Sequence, residues 1–288
     1  MTRPRFGIHY RALAWAGAAL GGLALAAAGD CRAQFAAAVT PPRFELSVEP
    51  GQVARQVLEI THAIPGSGSY RVYSADWSMD ASGALTFYDT LQPGSCRPWV
   101  AIERRDITVA NGSRLRYRFE VAPPADAGAR ECRFALMIES KPQEVKTGDT
   151  ASFPMNGRIG VIVYASVGAA RALLEAGELE LGSFDGRRTP LLTVHNRGNA
   201  TARLGGSVKG VDQAGTTFEF SPETVPILPG QTRRIALQPF EPPSRTPARP
   251  AAVSAVQWPL ALRGTLEYGP AGAGRLELDR SVSERPAQ

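Results

Sequence analysis

Between the hairpin dipeptide Asn111-Gly112 and the pair Pro123-Pro124 the chain alternates without a break. Leu115, Tyr117, Phe119 and Val121 are apolar, and Arg114, Arg116, Arg118 and Glu120 between them are charged. A two-residue period puts the two sets on opposite faces of an extended strand, one wet and one buried. Such a strand belongs to a sheet that meets water on one side only. That points to an antiparallel sandwich and away from a parallel sheet covered by helices on both faces.

The same style runs along the chain. Phe44, Leu46 and Val48 alternate before Pro50-Gly51, and residues 57–60, 70–77, 84–88 and 107–109 read as further strands between turn signals. In the second half, residues 178–184, 191–195, 202–208, 217–220, 235–237, 256–262, 264–268 and 275–278 repeat the pattern. Residues 169–176 (AARALLEA) alone have helical propensity and are expected to connect two domains. The Pro-rich residues 241–251 read as a long loop inside the second domain. The expected fold class is all-β, with two immunoglobulin-like β-sandwich domains in tandem over residues 38–167 and 177–283.

Residues 1–33 read as a secretory signal peptide. Arg3, Arg5 and Arg11 form a basic start, residues 12–28 are rich in Ala, Gly and Leu, and small residues stand at Ala28 and Ala33, either of which suits cleavage. A membrane anchor is the competing view, but the apolar stretch falls short of the roughly 20 residues a spanning helix needs. Cys31 invites a lipid-anchor reading, which Asp30 before it disfavours. The expected localisation is therefore the periplasm, with no stable membrane insertion of the mature chain. The formal charge of +5 falls to about +2 when Arg3, Arg5, Arg11, Arg32 and Asp30 leave with the signal. That is too little for a basic field, and nucleic acid is not an expected partner.

Cleavage after Ala33 leaves two cysteines, Cys96 and Cys132. Cys132 shares a strand face with Phe134, Leu136 and Ile138, so its sulfur is expected to point inward. Two cysteines in an oxidising compartment most often form a disulfide bond, the alternative being two separate buried thiols.

The catalytic inventory is thin. His62 and His195 each end a predicted strand, with no Cys, Asp or His at metal-ligand spacing, and read as surface or turn histidines. No nucleophile elbow, phosphate-binding P-loop or zinc-protease helix motif occurs. The expectation is a non-enzyme with no catalytic residues, no metal and no cofactor.

Residues 151–164 (ASFPMNGRIGVIVY) carry apolar side chains at Phe153, Met155, Ile159, Val161 and Val163 after a polar stretch, residues 140–150, expected to be mobile. This segment resembles the last strand of the first domain in periplasmic pilus-assembly chaperones of the chaperone-usher (PapD-like) family. PPRFELSVEPGQVARQVLEI, PPADAG-x-R-E-C-R-F-A-L, RIGVIVY, TVHNRGNA and LPGQTRRI are similar to further motifs of that family and cover most of the mature chain in order.

The resemblance implies a chaperone that binds pilus or fimbrial subunits, completes their sandwich with a donated strand (Ala151, Phe153, Met155, Ile159, Val161, Val163), and delivers them to an outer-membrane usher. It also implies a subunit carboxylate anchor at Arg43. The family's second anchor is a Lys where this chain has Gly160. Arg158, two residues back and roughly 7 Å away on the same strand face, is the expected substitute, the alternative being a plain solvated strand residue. Phe153 and Met155 are expected to be exposed in the free protein, where a self-capping homodimer would hide them. The competing function is a two-sandwich structural or adhesive protein in which residues 151–164 form an ordinary core strand.

Overall fold

The computed structural model describes residues 37–141, 143–147, 151–155, 157–240 and 256–283. The expected signal peptide and the loop over residues 241–251 lie outside the described residues. Among those described there is no α-helix, and no helix long and apolar enough to cross a membrane.

The chain enters as β1 (Ala37–Thr40), passes Pro41-Pro42 and resumes as β2 (Arg43–Val48). Then come β3 (Ala54–His62), β4 (Ser67–Met79), β5 (Leu85–Tyr88), β6 (Val100–Ile102), β7 (Asp106–Ala110), β8 (Arg114–Val121) and β9 (Arg130–Ser140). β10 (Gln143–Thr147) and β11 (Ala151–Met155) make a two-stranded ribbon that leads into β12 (Arg158–Val167). One sheet has the order β1-β3-β8-β6; the other has β2-β12-β9-β4-β5, with β7 also on β4. β1 and β2 thus belong to opposite sheets, and the two prolines between them mark the crossing.

The alternation at β8 is used as its sequence dictates. Tyr117, Phe119 and Val121 are buried, while Arg114, Arg116 and Arg118 face solvent. The Phe119 ring meets Phe44 of β2 edge-on at 5.1 Å and Phe134 of β9 at 6.2 Å, so one aromatic from one sheet is gripped by two from the other. Each such ring contributes about 1.5–3 kcal/mol by burial. The Cys96–Cys132 disulfide is present, with Cα atoms 5.7 Å apart, and both residues are buried.

The second sandwich comprises β13 (Leu174–Phe184), β14 (Arg187–Asn196), β15 (Leu204–Gly205), β16 (Val208–Val211), β17 (Thr217–Pro222), β18 (Thr232–Phe240), β19 (Leu260–Tyr268) and β20 (Gly274–Val282). Its strand order is β13-β14-β18-β17-β16-β19-β15, with β20 on β19. β18 turns the corner: Thr232–Ala236 pairs with β14, and Leu237–Phe240 pairs with β17. Leu192, Val194, Phe220, Ile235, Leu262 and Leu266 fill the core between the layers.

Two sequence expectations need correction here. Residues 169–176 are not helical. Asn196 and Asn199 capture that backbone in extended form: Leu173 N–H donates to Asn196 Oδ1 (3.3 Å), Arg171 N–H to Asn199 Oδ1 (2.8 Å), and Arg197 N–H to the Leu173 carbonyl (2.8 Å). These bonds and the burial of Leu174 outweigh the weak propensity of a short Ala-rich segment. The turn demands Gly198, since a Cβ there would sit 2.3 Å from the Arg171 carbonyl oxygen. The expected strand over residues 202–208 is broken into an isolated bridge at Ala202, β15 and β16, with Gly206 at φ 81° between the last two.

Candidate functional site

β12 lies between β9 and β2, but unevenly. β9 pairs with it from Arg158 to Val167, whereas β2, running parallel, begins only at Ile162, opposite Arg43. Pro41 and Pro42 supply no N–H and turn the chain to the other sheet, so β2 cannot extend further. Along Arg158–Val161 one edge of β12 therefore meets no strand among the described residues. An unpaired edge of this kind is a template for a further strand.

The expected single strand over residues 151–164 is divided. β11 pairs with β10 rather than continuing into β12, so part of the stretch expected to be mobile is a strand. At the junction Gly157 N–H donates to Ser140 Oγ (3.0 Å) and Ser140 N–H donates to the Gly157 carbonyl (2.9 Å). The pairing register shifts by one residue across it, from Met155 opposite Gln143 to Arg158 opposite Glu139, which is the signature of a bulge. Within β12, Ile159 is half-buried, while Val161 and Val163 are fully buried. Val163 is also paired on both sides, with Phe44 and Phe134. The open edge ends at Val161, and Val163 is a core residue.

Arg43 and Arg158 are not brought together, contrary to the expected pairing. Arg43 stands opposite Ile162, four residues along β12 from Arg158 and thus roughly 13 Å away. Arg158 is held elsewhere: it donates a side-chain hydrogen bond to Tyr73, with Asp89 and Glu139 close by, which raises the guanidinium further above its ordinary range. The place of the family Lys is filled. A Cβ on Gly160 would lie 2.9 Å from Cζ of Phe87 and 3.3 Å from the Met137 sulfur.

Arg43 instead pairs with Glu45, which also holds Arg203, and no sequence pattern singled out either residue. Arg43 Nε lies 2.9 Å from Glu45 Oε1, and Nη1 of Arg203, from the second sandwich, lies 2.6 Å from the same oxygen. Arg203 Nη2 also donates to the Tyr164 hydroxyl (3.2 Å), and its guanidinium stands 5.0 Å over the Tyr164 ring. Arg203 and Glu45 are 158 residues apart in sequence, so only the fold joins them. This cluster lines a cleft of about 780 Å³ between the sandwiches, continued by Ser166, Arg171, Thr201 and Tyr268.

Polar contacts set the two sandwiches. The Glu131 carboxylate accepts from Thr201 N–H (2.7 Å) and Thr201 Oγ1 (2.6 Å), and Asn199 Nδ2 donates to the Ala129 carbonyl (2.7 Å). Arg233, nearly buried, donates to the carbonyls of Asp80 (3.2 Å) and Ala81 (3.0 Å). Leu228 packs on Met79 and Tyr164. Burial pushes the Glu131 carboxyl above its ordinary value, opposed by the Thr201 hydrogen bonds and by Arg133 and Arg203.

Among the described residues no group of three or more His, Cys, Asp or Glu could hold a metal ion. His195 hydrogen-bonds Thr232 Oγ1 at 2.7 Å. His62 is a correction: it is buried, with Nδ1 2.6 Å from the Tyr70 hydroxyl. A strand-end position with a polar ring suggested the surface, but Tyr70 supplies the partner that makes burial tolerable.

No protein-family profile matches the chain, and no curated protein sequence matches it. Solved structures do. The class 5 fimbriae chaperone CfaA is 8% identical with a TM-score of 0.45, over 86% of this chain and 100% of its own. This chain is similar to fimbrial chaperones. The CupB2 chaperone of Pseudomonas aeruginosa matches at 12% identity and a TM-score of 0.41, over 85% of this chain and 100% of its own. A chain from the complex of the Salmonella enterica SafA pilin with the SafB chaperone matches at 12% and 0.43, over 86% of this chain and 98% of its own.

Proposed function

We propose that the protein is a non-enzymatic periplasmic chaperone that lends the open edge of β12, with the β10–β11 ribbon beyond it, to an incomplete fimbrial-subunit sandwich and passes the subunit to an outer-membrane usher. The observation that carries this reading is where the open edge stops. β2 runs parallel to β12 and begins with Arg43 opposite Ile162. A client strand laid parallel to β12 along Arg158–Val161 would fill the same edge just before β2 and end with its C-terminus beside Arg43. A chain-terminal carboxylate there would receive charge-assisted hydrogen bonds, while the backbone of the open edge supplies affinity. Arg43 is thus the proposed client anchor; Arg158, facing Tyr73 on the outer side of the sheet, is assigned no part in it. In the free protein the unpaired edge also favours a self-capping homodimer.

The full burial of Val161 and Val163 favours a second reading, a structural or adhesive two-sandwich protein in which β12 is a core strand. Co-expression with subunits encoded beside an usher gene separates the two. On the chaperone reading, Arg43→Ala abolishes subunit recovery and leaves the protein folded, and exchanging both Phe153 and Met155 for Ser loses subunit capture with little change in thermal midpoint. Wild-type subunit yield with Arg43→Ala overturns the anchor. A large drop in midpoint for the double exchange overturns lending by that ribbon.

A further inference from the structure

Two guanidiniums from different sandwiches converge on one oxygen, Glu45 Oε1, at the point where the open edge of β12 stops. Arg203 is the fixed member. Its side chain is 18% exposed, and its fork is oriented by the Tyr164 hydroxyl and ring. Arg43 and Glu45 are about half exposed and lie on β2, with Glu45 opposite Tyr164 in the pairing register. A carboxylate with two cations on one oxygen is also the arrangement an incoming chain-terminal carboxylate would need.

We propose that Arg203 is the second cation of the carboxylate site at the cleft, and that Glu45 is its internal occupant, standing in the free protein where a client's terminal carboxylate binds and giving way to it by a side-chain rotation. The inference rests on the strand-lending reading and adds to it the residue from the second sandwich and a built-in competitor. Three features fit displacement. Glu45 is about half exposed, so rotation about its χ angles can withdraw the carboxylate into solvent. Its partners stay neutralised throughout, because one carboxylate replaces another. Exposed ion pairs shift an equilibrium by at most about fivefold each, so the internal occupant is weak enough to leave.

The test uses the whole mature protein and a synthetic probe, an N-acetylated decapeptide of alternating Val and Thr, made with a free C-terminal carboxylate and as the C-terminal amide. Binding is read by fluorescence anisotropy at one fixed salt concentration. The wild type is expected to prefer the carboxylate form. Glu45→Gln should tighten that form about five- to twentyfold, the product of losing two such pairs, and leave the amide form unchanged. Adding Arg203→Gln should remove most of the gain, and Arg203→Lys, which keeps the charge but not the fork, should retain part of it. If Glu45→Gln keeps the preference for the carboxylate without tightening it, the competitor role of Glu45 is overturned while the strand-lending reading stands. Full retention of the gain with Arg203→Gln overturns the second-cation assignment. If no variant binds either peptide, the strand-lending reading fails and this inference falls with it.

Discussion

The Phe87 ring of β5 covers Gly160 of β12, so that a Cβ on Gly160 would lie 2.9 Å from Phe87 Cζ. A long cation cannot stand at this position unless the ring moves. Gly160→Lys is expected to cost about 1–3 kcal/mol of stability, as overpacking does. Phe87→Ala should recover much of that loss when combined with it. Urea denaturation of the two single variants and the double variant measures the coupling. Strict additivity of the two changes would show that the ring does not occupy the place of the lysine.

How much of this was legible in the sequence depends on how local each signal is. Alternation at β8 announces its strand directly, because side-chain period is a property of a few neighbouring residues. Asn111-Gly112 marks a turn but not the expected hairpin, since β7 before it pairs with β4 and β8 after it pairs with β3, in opposite sheets. The disulfide was legible by elimination. The Arg43–Glu45–Arg203 cluster was not, since its members meet only through the docking of two sandwiches. Residues 169–176 misled for the same reason: Asn196, buried with four hydrogen-bonding neighbours, pulls their backbone straight from 23 residues away. The alternation over residues 151–164 carries no trace of the one-residue register shift before β12, because the extra residue falls on the partner side, between Ser140 and Gln143.

The Cys96–Cys132 bridge closes a separation of 36 residues. On the chain-entropy estimate it contributes about 4 kcal/mol. Non-reducing alkylation followed by mass measurement should find neither thiol free. Cys96→Ser paired with Cys132→Ser should lower the urea midpoint accordingly. Two alkylated thiols in the protein as isolated without reductant would rule the bridge out.

Glu131 gives the contact between sandwiches a pH dependence of definite sign. Burial raises its carboxyl above the ordinary value of 4.5. The folded state therefore binds the proton more tightly than the unfolded one, and stability falls as pH rises from the unfolded value through the raised one. Acidification toward that window should raise the thermal midpoint, and Glu131→Gln should flatten the local slope. A midpoint that rises with pH across the window, and does so only while Glu131 is present, would contradict the burial argument.

The open edge of β12 makes the last prediction. An amide in a paired strand exchanges with solvent only when the sheet opens, whereas one on an uncovered edge exchanges freely. From Ile162 to Val167 β12 has a neighbour on both sides, and from Arg158 to Val161, among the described residues, on one side only. In dilute protein, residue-level hydrogen exchange should therefore show every other amide within 158–161 exchanging fast and continuous protection from Ile162 onward. A self-capping homodimer would make protection of residues 158–161 rise with protein concentration, and a bound client strand would impose it at any concentration. Uniform protection along the whole of β12 in a dilute, strictly monomeric sample would mean that this edge is already covered, and the proposed lending of the strand could not start there.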